Sequence, residues 1–226
     1  MDEEKPRIKI ALIFSLLFVI VIWLVRLFEM YTKIDLSVYG VYPKTAKGLS
    51  GILTSPLIHA DLSHIASNTL PIFLLTTGLF YLYTKSALKV FMIIYIFHGL
   101  GVWLFGRQSY HIGASGIIYG LAAFLFFIGL FRKDSSSIGL SLLVVFLYGS
   151  LVWGILPTDP AISYEAHLSG AFAGIVCSII FRKADPPVEK KYKWDNEEEN
   201  ENEEQDINPD DIKISDDAHP VWFDRK

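Results

Sequence analysis

Charge is missing from six long blocks of this chain, and no other feature constrains its fold as tightly. Residues 10–25, 62–84, 90–106, 108–131, 135–158 and 166–181 contain no Asp, Glu, Lys or Arg. A helix needs about 20 residues, with roughly 17–25 the usual range, to cross the hydrocarbon core of a bilayer. The first and last blocks are shorter, but each extends past a flanking Arg26 or Arg182 whose long side chain can snorkel to the interface. The sequence therefore predicts an all-α, polytopic membrane protein: a bundle of six transmembrane helices over residues 10–182. A soluble domain of six buried helices would carry polar faces at helical spacing, and these blocks mostly lack them. Overall composition does not separate the two readings, because a hydrophobic share of 52% is only slightly above that of soluble proteins.

The ends differ from the centre. Lys5, Arg7 and Lys9 precede the first block in the manner of a signal peptide. No small-residue cleavage site follows, however, and Trp23, Arg26 and Phe28 fill the place where one would lie, so the block reads as a retained first helix. Residues 183–226 carry 15 acidic and 7 basic residues. Their run Asp195–Glu204 has no apolar side chain, so residues 183–226 are expected to be an acidic, disordered cytoplasmic tail. Residues 1–9 form the N-terminal cytoplasmic segment. An even number of spans puts both termini on one side. That side collects nine loop cations (Lys5, Arg7, Lys9, Lys85, Lys89, Arg132, Lys133, Arg182, Lys183) against five on the other (Arg26, Lys33, Lys44, Lys47, Arg107). The positive-inside tendency then places both termini in the cytoplasm of a cell-membrane protein. His59, His64, Ser115 and His167 fall near the external face. The long first loop, about residues 29–63, mixes apolar residues with Gly and Pro and is expected to lie in the interface.

Polar side chains at bilayer depth are costly and tend to mark working sites. Gly113-Ala114-Ser115-Gly116 opens the fourth span and Ala166-His167-Leu168-Ser169-Gly170 opens the sixth. A hydroxyl and an imidazole, each flanked by glycines, suggest a nucleophile and its base. Gly116 and Gly120 make one small-residue face; Ala166, Gly170 and Gly174 make another. Packing of one on the other would bring Ser115 to His167. Each motif also reads as simple helix packing. His64 and Asn68 share a face of the second span and are candidate donors to an oxyanion, against the alternative of helix-end polar residues. His59 is expected to order the loop entering that span. Tyr119, one turn below Ser115, can stack on the imidazole or merely fill core. No acidic third member stands out, so a Ser115–His167 dyad is the simpler scheme. His98 and His111 read as structural or interfacial. Cys177, the single cysteine, permits no internal disulfide and is a small packing residue.

Other chemistries have less support. There is no H-E-x-x-H motif, no carboxylate pair within the spans and no phosphate-binding glycine loop with a following Lys-Ser/Thr. No metal and no cofactor is expected, and without a basic stripe nor is nucleic acid.

With its His59-x4-His64-x3-Asn68, Gly113-Ala114-Ser115-Gly116 with Tyr119, and Ala166-His167-x2-Gly170-x3-Gly174, the sequence from about residue 40 to 182 resembles the rhomboid intramembrane serine proteases. The resemblance implies the six-helix core of the bacterial type, with Ser115 as nucleophile and His167 as general base. It implies an oxyanion hole of His64, Asn68 and the Ser115 main-chain N–H, with Tyr119 supporting His167. It also implies single-span membrane proteins as substrates, cut near the external end of a helix. Two positions depart from the family pattern. A Trp-Arg pair would fall at Ser50-Gly51, and the small residue that often precedes Ala-His is Glu165. The rival functions are a catalytically silent rhomboid-like binder or chaperone of membrane proteins and a small-solute transporter. The transporter reading lacks paired broken helices and an inverted repeat.

Overall fold

The computed structural model describes residues 4–160 and 162–185. Seven α-helices follow in order: α1 (Glu4–Thr32), α2 (Ala46–Thr54), α3 (Leu62–Leu82), α4 (Ala87–Phe105), α5 (Ser115–Arg132), α6 (Ser135–Tyr148) and α7 (Tyr164–Phe181). No strand forms among the described residues; Val41 and His111 make an isolated antiparallel bridge. Among the described residues six stretches are long and apolar enough to cross a membrane: α1, α3, α4, α5, α6 with its 3-10 continuation, and α7.

The fifth stretch is not one α-helix. After Tyr148 the chain tightens into a 3-10 segment, Gly149–Ile155. Gly149, Ser150 and Gly154 are weak helix formers, and Pro157 ahead cannot continue a helix. The first loop is also more ordered than its composition suggests. It holds α2, whose N-cap Thr45 accepts from the Gly48 N–H. Gly51, one of the two residues that stand where a Trp-Arg pair would fall, and Gly48 show how this loop is seated. A Cβ at Gly51 would lie 2.3 Å from Gly40, and one at Gly48 would lie 1.9 Å from the Tyr42 carbonyl oxygen. Here α2 rests backbone to backbone on residues 40–42, a fit that a side chain would block. Thr54 donates to the Tyr39 carbonyl and Trp103 to the Thr45 carbonyl, fastening the two ends.

The bundle centres on α5, where Ile117, Leu121, Phe124, Leu125 and Ile128 are fully or almost fully buried. Apolar burial does not drive helices together in lipid, so close backbone packing carries the association. It is closest between α5 and α7. A Cβ on Gly170 would lie 1.9 Å from the Gly116 carbonyl oxygen, and one on Gly174 would lie 2.0 Å from that of Gly120. The rim is lipid-like: Phe146 and Trp153 on the fifth stretch and Leu24 and Phe28 on α1 are exposed.

Two expected positions change. Arg26 does not snorkel outward; its Nη1 donates to Glu29 and to the His59 carbonyl, both at 3.2 Å. Glu29 is buried, and a buried carboxylate holds its cation close. The expected tail begins inside the domain. Asp185 is buried; its carboxylate accepts from the Lys85 N–H (2.7 Å) and the Ser86 hydroxyl (2.5 Å), and Arg132 donates to its carbonyl. The rest of that tail, and the start of the N-terminal segment, lie outside the described residues.

Candidate active site

Ser115 is the first residue of α5. Its helix is entered through Gly113, whose φ of +109° belongs to glycine, and Ala114, which offers no side-chain cap. The Gly113 N–H donates to the Ser55 carbonyl at 2.8 Å. The first N–H groups of α5, including that of Ser115, have no acceptor within the helix. His167 sits in the first turn of α7, where N-cap Ser163 accepts from the Ala166 N–H. Because Gly116 lies on Gly170, the two helix starts meet. The Ser115 Oγ and His167 Nε2 are 2.8 Å apart.

The other imidazole nitrogen decides the proton. His167 Nδ1 lies 2.8 Å from the Gly154 carbonyl oxygen. A carbonyl only accepts, so Nδ1 carries the hydrogen, and neutral His167 presents a lone pair on Nε2 to the serine hydroxyl. Tyr119 stacks on the ring at 3.9 Å with planes 6° apart.

His64 and His59 stand on the other side of the Gly113 turn. A Cβ at Gly113 would fall 2.7 Å from the His64 ring, so glycine lets that ring against the turn. His59 packs edge-on to His64 at 5.0 Å, and its Nε2 accepts from the Ala114 N–H at 3.4 Å. Burial pushes the His59 pKa down to about 4. Its imidazole therefore stays neutral at pH 7. Asp61 caps α3 by accepting from the His64 N–H at 2.8 Å; that bond keeps its carboxyl below the usual range. Asn68 is buried, and its Nδ2 donates to the His64 main-chain carbonyl at 2.7 Å. One amide hydrogen is thus spent on its own helix and a second is left over.

The geometry brings Ser115, His167, Tyr119 and the four glycines together, and sets His64, His59 and Gly113 beside them. No hydrogen bond joins Asn68 to Ser115 or His167 among the described residues. His98 and His111 are both buried rather than interfacial. His98 lies under Gly116. His111 is 2.6 Å from the Ser163 hydroxyl and 3.0 Å from the Arg107 carbonyl. Burial lowers its pKa. Glu165 turns away from His167 to accept from the Arg107 main-chain N–H at 3.2 Å; the Arg107 guanidinium binds the Pro160 and Ile162 carbonyls. Among the described residues, no three His, Cys, Asp or Glu side chains gather as a metal would require.

The Rhomboid domain model matches residues 46–184. This chain belongs to the rhomboid family. With six helices long and apolar enough to span, it is a multi-pass membrane protein of a family consisting mostly of intramembrane serine proteases. It is 37% identical over 190 residues to an uncharacterized protein of Mycobacterium tuberculosis (strain ATCC 25618 / H37Rv), covering 78% of each chain. It is 30% identical over 174 residues to an uncharacterized protein of Mycobacterium leprae (strain TN), covering 73% of this rhomboid and 69% of that protein. A Bacillus subtilis (strain 168) protein provisionally named a rhomboid protease is 29% identical over 136 residues, covering 57% and 65%.

The sequence reading missed Gly154, Arg107 and the bonds of His111. Gly154 acts through a main-chain oxygen, which no residue type announces. The one legible signal was a glycine three residues before Pro157 at the end of an apolar block.

Proposed function

We propose that this rhomboid is an intramembrane serine endopeptidase with a Ser115–His167 dyad. The observation that carries the reading is the 2.8 Å approach of Ser115 Oγ to His167 Nε2, with Nδ1 already committed to a carbonyl. The serine hydrogen then has one acceptor in reach. A single-span membrane protein enters from the bilayer and unwinds locally. Ser115 Oγ attacks a peptide carbonyl as His167 Nε2 takes the proton. The tetrahedral oxyanion is held by the Ser115 N–H, the His64 ring and the spare amide hydrogen of Asn68. His167 returns its proton to the leaving amine. Water, activated by His167, then hydrolyses the acyl-enzyme and regenerates both residues. Both termini are cytoplasmic, and the dyad opens toward the external face.

The test is incubation of the purified protein in detergent with a model single-span substrate, beside its Ser115→Ala and His167→Ala variants. Cleavage by the wild type alone is expected, with Ser115 labelled by a fluorophosphonate. Equal cleavage by Ser115→Ala would remove the nucleophile. No cleavage of several substrates and no labelling would favour a silent binder of membrane proteins. Asn68→Ala should lose about 100- to 1000-fold in rate, the usual loss for one oxyanion donor, and so less than Ser115→Ala.

A further inference from the structure

We propose that Gly154, together with Pro157, is a positioning element of this site: its carbonyl is the third member that a carboxylate supplies in other serine hydrolases. The inference rests on the dyad reading and goes beyond it, because it assigns a role to the irregular end of the fifth span.

Three observations converge. The Gly154 oxygen receives the His167 Nδ1–H at 2.8 Å. That oxygen is free for the task because the backbone offers it no donor. In a 3-10 turn the donor would come from residue 157, which is proline and has no N–H. The next N–H, that of Thr158, is bonded to the Leu156 carbonyl at 2.8 Å. Finally, residue 154 has no space for a side chain. A Cβ there would lie 1.9 Å from the Tyr119 Oη, 3.0 Å from its Cζ and 3.3 Å from His167 Nδ1. One residue thus supplies the acceptor that fixes the tautomer and the gap that admits the stacking tyrosine.

The change from α-helix to 3-10 at Gly149 follows the same logic. An α-helix running through residue 158 would direct the Thr158 N–H at the Gly154 carbonyl, the bond a helix makes four residues apart. The tightened segment ends before that bond forms, and the imidazole takes its place.

The test is an amide-to-ester exchange. Incorporating the α-hydroxy acid of isoleucine at position 155 turns the Gly154 carbonyl into an ester carbonyl, a weaker acceptor. The same exchange at position 153 changes the Val152 carbonyl and serves as control. The expected result for the 155 ester is a fall in kcat of about tenfold, as for a bond to a group that becomes charged, with KM within about twofold. The control ester should stay near wild type. Nitrogen-15 NMR of His167 should show Nδ1 protonated and Nε2 bare in the wild type, and a mixture of tautomers in the 155 ester. Pro157→Ala, which returns a competing N–H, should shift the tautomer signal the same way. Gly154→Ala should be severely impaired, and Tyr119→Phe should partly rescue it by removing the nearest atom. Equal losses from both esters, or an unchanged His167 signature in the 155 ester, would overturn the proposal. The tautomer signal needs no turnover, so absence of protease activity and absence of this contact are read separately.

Discussion

Gly170→Ala adds one methyl group to this protein at the point where α5 and α7 touch. The new Cβ would sit 1.9 Å from the Gly116 carbonyl oxygen and 2.8 Å from its carbon, whereas real Cβ atoms essentially never come closer than 3.0 Å. Both partners are helix backbone, so neither can swing aside, and the helices must part by roughly 1 Å in a close-packed interior. Gly116 directly follows Ser115, and Gly170 lies three residues after His167. The displacement therefore falls on the Oγ–Nε2 pair, now 2.8 Å apart, and carries it beyond hydrogen-bond range. A misplacement of about 1 Å costs about 100-fold in rate, or about 2.7 kcal/mol of barrier. Overpacking should also remove about 1–3 kcal/mol of stability. The assay is the initial rate of Ser115-dependent cleavage, with fluorophosphonate labelling as a second reading and a thermal melt beside them. Gly139→Ala is the matched control, since a Cβ there meets nothing within 4 Å. Cleavage by Gly170→Ala within about threefold of wild type would refute the reasoning, as would equal damage from Gly139→Ala.

His59 should make the fold acid-sensitive. Its folded pKa is pushed down to about 4, from 6.5, so the unfolded chain binds the proton more readily. Stability is then complete above about pH 6.5 and falls as pH drops toward 4, by about 3 kcal/mol in all. His59→Gln should lose less than wild type across that window in thermal melts, and parallel curves would exclude His59 as the cause. Arg107→Ala should lower stability by about 1–2 kcal/mol, because buried Glu165 loses the guanidinium whose Nε lies 3.8 Å from its carboxylate and two carbonyls lose a donor. Adding Glu165→Gln should recover part of that loss, and a double variant no better than Arg107→Ala would argue against the pairing. Asp185→Ala should cost about 1–3 kcal/mol, because it strips acceptors from the Lys85 N–H and the Ser86 hydroxyl. Its kcat should not change, since Asp185 makes no contact with the dyad; a matching loss of kcat would count against this role.

What could be read in advance divides along a physical line. The six spans were legible because lipid as a solvent imposes both a length and an exclusion of charge. The meeting of α5 and α7 was legible because glycine four residues apart leaves a visible gap in side-chain bulk. The meeting of Ser115, His167 and Tyr119 was legible because each is chemically out of place or in register. The rest depends on main-chain atoms. Nothing in Ser50-Gly51 announces that Gly48 and Gly51 will lie on the backbone of residues 40–42. Arg26 looked like an interfacial cation because one of its two partners, the His59 carbonyl, is distant in sequence and carries no residue label, and the burial of the other, Glu29, cannot be read from its position. Asp185 looked like the first acid of a solvated tail until the Lys85 N–H and Ser86 hydroxyl were found to need it.

The same reliance on backbone suggests why, among the described residues, no acid is bonded to His167. Burying an ionised carboxylate costs several kcal/mol unless it is fully bonded, and the only carboxylate near His167 in sequence, Glu165, is held instead by Arg107. A carbonyl brings no charge to bury. The Gly154 oxygen, deprived of a backbone donor by Pro157, would itself be an unsatisfied polar group. The His167 Nδ1–H, deprived of a carboxylate, would be another. Each supplies what the other lacks, so the contact that orients the His167 ring also removes two penalties that a low-dielectric surrounding would make large. In such a setting the neutral pair is the more stable choice, and on the proposed mechanism Gly154 serves the dyad by supplying it.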